Sequence, residues 1–94
     1  MAVSVTVTRT ATEPRLAFDV TVDDGAGTSH HQVTLEEAYL RRLARPGESP
    51  EDFVERCFCF LLEREPKEAI LDRFDVAVIG RYFSNFETAI SQGT

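Results

Sequence analysis

The hydrophobic period of this chain changes once, near Thr34, and that change limits what it can fold into. Before it, apolar residues recur at every second position. In VSVTVTR, residues 3–9, Val3, Val5 and Val7 fall on one side and Ser4, Thr6 and Thr8 on the other. In LAFDVTV, residues 16–22, Leu16, Phe18, Val20 and Val22 alternate with Ala17, Asp19 and Thr21. Period two with β-branched residues predicts half-buried strands. A third strand is expected over TSHHQVT, residues 28–34. Pro14 lies in the first connection, where a missing N–H is harmless. Asp24-Gly25, inside DDGAG, predicts a tight hairpin turn, because glycine takes positive φ at little cost. The economical arrangement is an antiparallel meander with one apolar face.

After Thr34 the spacing is helical. Thr34-Leu35-Glu36-Glu37 fits a capping box opening a helix over 35–44, which Pro46-Gly47 ends. Ser49-Pro50-Glu51-Asp52 predicts a second helix from residue 50 to about 65, with Ser49 as N-cap and acids against the positive helix end. Pro66 breaks or kinks it. KEAILDRF reads as a short helix burying Ile70, Leu71 and Phe74. Asp75 is placed to cap a further turn or two, VAVIGRYF, where Gly80 signals close packing or a local break. Ser84-Asn85-Phe86-Glu87 resembles a last capping box, and the closing SQGT is expected to fray. The fold class expected is α+β: about three antiparallel strands, then three to five helices on their apolar face, in one domain. Residues 1–34 form its sheet part and 35–91 its helical part.

Ninety-four residues with 43% hydrophobic content, including seven Phe, suffice for one core without staples. Two cysteines are too few for a disulfide framework. MAVSVTVTRT shows no secretory signal, and no apolar run approaches the ~20 residues that span a bilayer. The expectation is a cytoplasmic protein with reduced thiols and no membrane contact. A formal charge of −6 disfavours nucleic acid. The densest basic group, Arg41, Arg42 and Arg45, is balanced by Glu36 and Glu37.

Cys57-x-Cys59 invites a metal or redox reading. On a helix at ~100° per residue the two thiols point ~200° apart. They then converge neither on zinc, which needs sulfurs ~2.3 Å from one centre, nor on each other for a disulfide with Cβ atoms ~3.8 Å apart. Cys57 falls amid Phe53, Val54, Phe58, Leu61 and Leu62, as a small core residue. Cys59 falls beside Glu55 and Glu63, which blunt a thiol's reactivity. His30 and His31 are strand neighbours and point to opposite faces, with His31 on the core side. DDGAG is too short for a calcium loop, and no nucleophile elbow, phosphate loop or zinc-protease motif is present. No catalytic residue, cofactor or metal site is expected.

The wording FLLEREPKEAIL, residues 60–71, followed by FD, VI and RYF resembles a family of short, uncharacterised bacterial proteins. The resemblance implies a compact cytoplasmic domain and carries over no catalytic residue. Core positions, caps and a helix break account for most of that wording. Arg64, Glu65, Lys67, Arg81 and Tyr82 remain, gathered around Pro66 and the last helices. The apolar arc of the second helix covers ~200°, wider than the ~100° stripe of a surface helix, with Phe60 and Leu62 at its flanks. These seven residues are the candidate interaction surface. The sheet also has edges open to another strand. The functional reading is a non-enzymatic protein-interaction domain, either a homodimer or bound to a separate partner. An enzyme or ligand-binding domain instead requires Arg64, Arg81, Tyr82 and a carboxylate around one cleft near Pro66. A nucleic-acid module, with 67–83 as helix-turn-helix presenting Arg81 and Tyr82, requires polar base-reading side chains that this mostly apolar segment lacks.

Overall fold

The alternating segments form long neighbouring strands: β1 (Ser4–Ala11), β2 (Leu16–Asp23) and β3 (Thr28–Leu35). The computed structural model describes residues 3–91. β1 pairs antiparallel with β2, and β2 with β3, placing Val5 opposite Val22, Val7 opposite Val20 and Phe18 opposite Val33. Each of these pairs lies on the inner face. The β2–β3 turn is the expected hairpin. Gly25 has φ 86°, and the Asp24 Oδ1 accepts from the N–H groups of Ala26 and Gly27 at 2.9 Å each. His31 is buried and His30 exposed, as the strand parity requires.

Four helices follow: α1 (Glu37–Leu43), α2 (Pro50–Leu62), α3 (Ile79–Tyr82) and α4 (Phe86–Ser91). The rest of the tail expected to fray lies outside the described residues. Ser49 caps α2 as its sequence signals, accepting from the Asp52 N–H at 3.0 Å. α2 ends at Leu62 rather than 65, because the chain winds through a tighter turn in which the Arg64 and Glu65 N–H groups both reach the Leu61 carbonyl. Asp75 caps a 3-10 turn, Val76–Val78, by accepting from the Ala77 N–H at 3.1 Å.

Three expectations are corrected. The segment 67–74 is not a helix. A 3-10 turn at Lys67–Ala69 is followed by extended chain, and Arg73–Asp75 forms β4, parallel to β3. The sheet is therefore mixed and four-stranded, in the order β1-β2-β3-β4. β4 covers the backbone groups on the outer edge of β3, which would otherwise lack partners. The Thr34 capping box does not form. β3 continues to Leu35, Glu36 is the N-cap with no capping bond from its side chain, and the Thr34 Oγ1 donates instead to the Asp75 Oδ1 at 2.6 Å. Glu87, placed by the last box at the start of α4, accepts from the Tyr39 hydroxyl at 3.0 Å and from Arg42 at 3.1 Å, tying α4 to α1.

The core lies between the inner sheet face and α2. Phe18, Val20, Val22, Val33 and Leu35 meet Phe53, Val54, Cys57, Phe58 and Leu61. Each such side chain contributes ~1.5–3 kcal/mol by leaving water. Phe58 packs between His31 and Phe74, with ring centroids 5.4 and 5.9 Å away. The wide apolar arc of α2 has a physical cause. The sheet covers one side, while Phe83 and Phe86 cover Phe60 from another, at 5.8 and 5.0 Å with edges meeting faces.

Candidate functional site

Where α2 gives way to the turn at Pro66, the chain leaves an apolar groove. Its floor is Leu61, Ile70 and Ile79, and Phe74, Val78 and Phe83 line it further. The opening is flanked by Leu71 and Tyr82, 49% and 71% exposed. Glu65, half-buried, adds a carboxylate. The enclosed volume is about 180 Å³. Among the described residues Leu71, Tyr82 and Val3 are the exposed large hydrophobic side chains, and two of these three border this groove.

The local sequence builds the groove directly. The 3-10 turn stops at Ala69, and Ile70 takes extended angles, φ −79° and ψ 133°. Neighbours in extended chain point to opposite sides. Ile70 therefore enters the core while Leu71 faces outward. On the other wall, α3 turns Ile79 inward and leaves Tyr82 outside.

The seven candidate residues separate into distinct places. Glu65 and Tyr82 share the groove. Phe60 is 6% exposed and belongs to the core. Arg64 lies over its ring, 3.6 Å from the centroid, and donates to the Phe60 carbonyl at 2.9 Å. Leu62 is half-buried on a flank of α2. Lys67 is buried and points to the hairpin, where its Nζ meets the Asp24 Oδ2 at 2.9 Å and also Glu68. That pairing raises the Lys67 pKa and lowers those of Asp24 and Glu68. Arg81 is exposed on α3 outside the groove lining. The sequence reading missed Leu71, Ala69 and Val78. No local signal marks Leu71: Ile70-Leu71 reads as two apolar core residues, and the extended chain that turns Leu71 outward is set by its pairing with β3.

Groups suited to chemistry are held apart or already satisfied. Cys57 is buried and Cys59 exposed on the far side of α2. Burial pushes the Cys57 thiol up. Burial, then Glu55 and Glu63, push Cys59 up as well. The His31 Nδ1 lies 2.8 Å from the Leu71 carbonyl, which can only accept, so this nitrogen carries the proton. In the neutral ring Nε2 then accepts from the Ser29 hydroxyl at 2.8 Å. Among the described residues no three of His, Cys, Asp and Glu converge to hold a metal, and no helix is long and apolar enough to cross a membrane. Most cations are engaged with acids: Arg9 with Glu51, Arg15 with Asp75 and Glu36, Arg41 with Glu37, Arg42 with Glu87, and Arg56 with Glu48. Neither a protein-family model, nor a curated protein, nor a solved structure matches this chain.

Proposed function

We propose that the chain is a non-enzymatic interaction domain whose groove takes an apolar side chain from a partner protein, with a flanking Lys or Arg of that partner reaching Glu65. The observation that carries this reading is the juxtaposition of exposed Leu71 and Tyr82 with a half-buried carboxylate that has no cation among the described residues. An apolar rim around a preformed concavity favours a large hydrophobic anchor. The lone carboxylate selects for a basic neighbour.

Size favours a side chain over a free small molecule. The groove encloses about 180 Å³, below the ~300–1,000 Å³ of pockets that engulf drug-sized ligands. Catalysis needs polar groups around one point, and of the four sought near Pro66 only Tyr82 and a carboxylate, Glu65, line the groove. Nucleic-acid binding is disfavoured by the −6 charge and the paired arginines.

A synthetic amphipathic peptide, with leucines on one helical face and lysines on the other, tests the reading. Titrated into the labelled protein, it shifts the NMR signals of Leu71, Val78 and Tyr82. Leu71→Asp abolishes those shifts without unfolding the chain, since Leu71 is half in solvent. Glu65→Gln weakens binding about two- to five-fold, the worth of a half-exposed ion pair. Shifts confined to another surface, or affinity indifferent to both substitutions, overturn it.

A further inference from the structure

The two margins of the sheet are finished differently. β4 closes the β3 side with three residues, whereas β1 ends the sheet with eight and has no neighbour beyond it among the described residues. Proteins guard long edges with charge, proline or a bulge. Ser4 to Thr8 has none of these, and the register shift of β1 comes only between Arg9 and Ala11. The core is also open along this strand. Val22 and Val20 of β2 are 0% and 1% exposed, yet their partners Val5 and Val7 are only half-buried, and Val3 beyond them is 49% exposed.

We infer that β1 pairs antiparallel with β1 of a second copy of this chain, joining two four-stranded sheets into one of eight. The strand is complementary to itself. Reversed about Val5, it sets Val3 against Val7 and Ser4 against Thr6. Reversed about Thr6, it sets Val5 against Val7 and Ser4 against Thr8. In the first register every valine meets a valine on the helix side and hydroxyls meet hydroxyls on the other; in the second Val5 and Val7 still pair and hydroxyls still meet, while Val3 falls opposite Arg9. The one charge on the strand, Arg9, is held within its own chain by two bonds to Glu51, at 2.9 and 3.0 Å. No like charges therefore oppose each other on the seam, although each copy carries −6 overall. The helix layer takes part too. α2 packs along β1 from that Arg9–Glu51 pair. Leu62 lies about three turns after Glu51 on the same line of the helix, so the same inference puts this half-buried leucine within reach of the second copy.

Sedimentation from about 1 to about 200 μM tests this, because a dimer follows mass action. The wild type shifts from monomer to dimer, and added salt favours the dimer by screening the net charge. Thr6 is exposed on the outer face, so Thr6→Lys and Thr6→Glu each place like charges across the seam and weaken the dimer by up to about 5-fold. An equimolar mixture of the two variants restores it. Circular dichroism confirms that both variants fold. In the wild type, the Val5 and Val7 region exchanges its amide hydrogens more slowly as concentration rises. Leu71→Asp leaves the dimer intact, which separates this seam from the groove. A wild type that stays monomeric throughout, or a dimer indifferent to both Thr6 substitutions, overturns the inference. So does β1 pairing with a different protein in place of its own copy.

Discussion

Arg56 joins three parts of the chain. Its guanidinium meets both carboxylate oxygens of Glu48, at 2.7 and 2.8 Å, and donates to the Ile90 carbonyl at 2.7 Å. The loop before α2, α2 itself and α4 are thus held at one point. The Arg56 and Glu48 side chains are 16% and 8% exposed, so solvent screens them little. Arg56→Ala leaves Glu48 without its hydrogen-bonded cation, with only Arg45 nearby, and is expected to cost about 3 kcal/mol in urea unfolding. Glu48→Gln keeps an acceptor and costs less. The same pair sets an acid limit. Hydrogen bonding to Arg56 holds the Glu48 carboxyl below its ordinary value of 4.5, and Arg9 and Arg42 do the same to Glu51 and Glu87. The unfolded chain then binds more protons than the folded one as pH drops. Stability is fully present above about pH 4.5 and falls as pH passes down through the lower folded values. Arg56→Ala flattens that fall, which a series of unfolding curves between neutral and acidic pH measures.

At the scale of elements, β4 is the piece sequence reading could not find, and the reason is physical. A three-residue strand has no period to detect, and Ile70, Leu71 and Phe74 sit at helix-like intervals. Its place is fixed by long-range partners. The Gln32 N–H reaches the Asp72 carbonyl at 2.7 Å. Asp75 accepts from Thr34, from Arg15 at 3.1 Å and from the Ala77 N–H. Thr34 illustrates the difficulty. Its hydroxyl suits a helix cap three residues from Glu37, but an aspartate 41 positions away claims it. By contrast α2, the first three strands and the hairpin were legible, because period, cap and turn glycine are local signals. The groove was half legible: Glu65 and Tyr82 stood out as polar residues without a structural duty, whereas Leu71 looked like core. Asp75→Ala should cost about 2 kcal/mol in urea unfolding, from the lost cap and the orphaned Thr34 hydroxyl. Asp75→Asn has one acceptor oxygen; turned toward the Ala77 N–H it keeps the cap, while its amide donates to the Thr34 hydroxyl, so it should cost less than Asp75→Ala.

Over the whole molecule, one cluster of buried side chains runs from β2 and β3 through α2 to α4. The radius of gyration, 12.5 Å, matches the roughly 12 Å of a compact chain this long. Lys67 adds a polar tie between the hairpin tip and the end of α2. The sheet and helical parts are therefore expected to unfold together. Tyr39 and Tyr82 both lie in the helical part, so their fluorescence reports it, while far-ultraviolet dichroism reports both. Coincident urea transitions by the two probes are the expected result. A fluorescence change at lower denaturant would show the helical part coming away first.

The parallel partner of β3 also sets a timetable for synthesis. β3 is complete at Leu35, yet the residues that seal it end at Asp75. At ~5–20 residues per second the nascent hairpin waits roughly 2–8 s for its cover. Throughout that interval both borders of the newborn sheet lie bare, so a ribosome-bound chain is most open to capture by chaperones, or by a neighbouring nascent chain, before Asp75 is made.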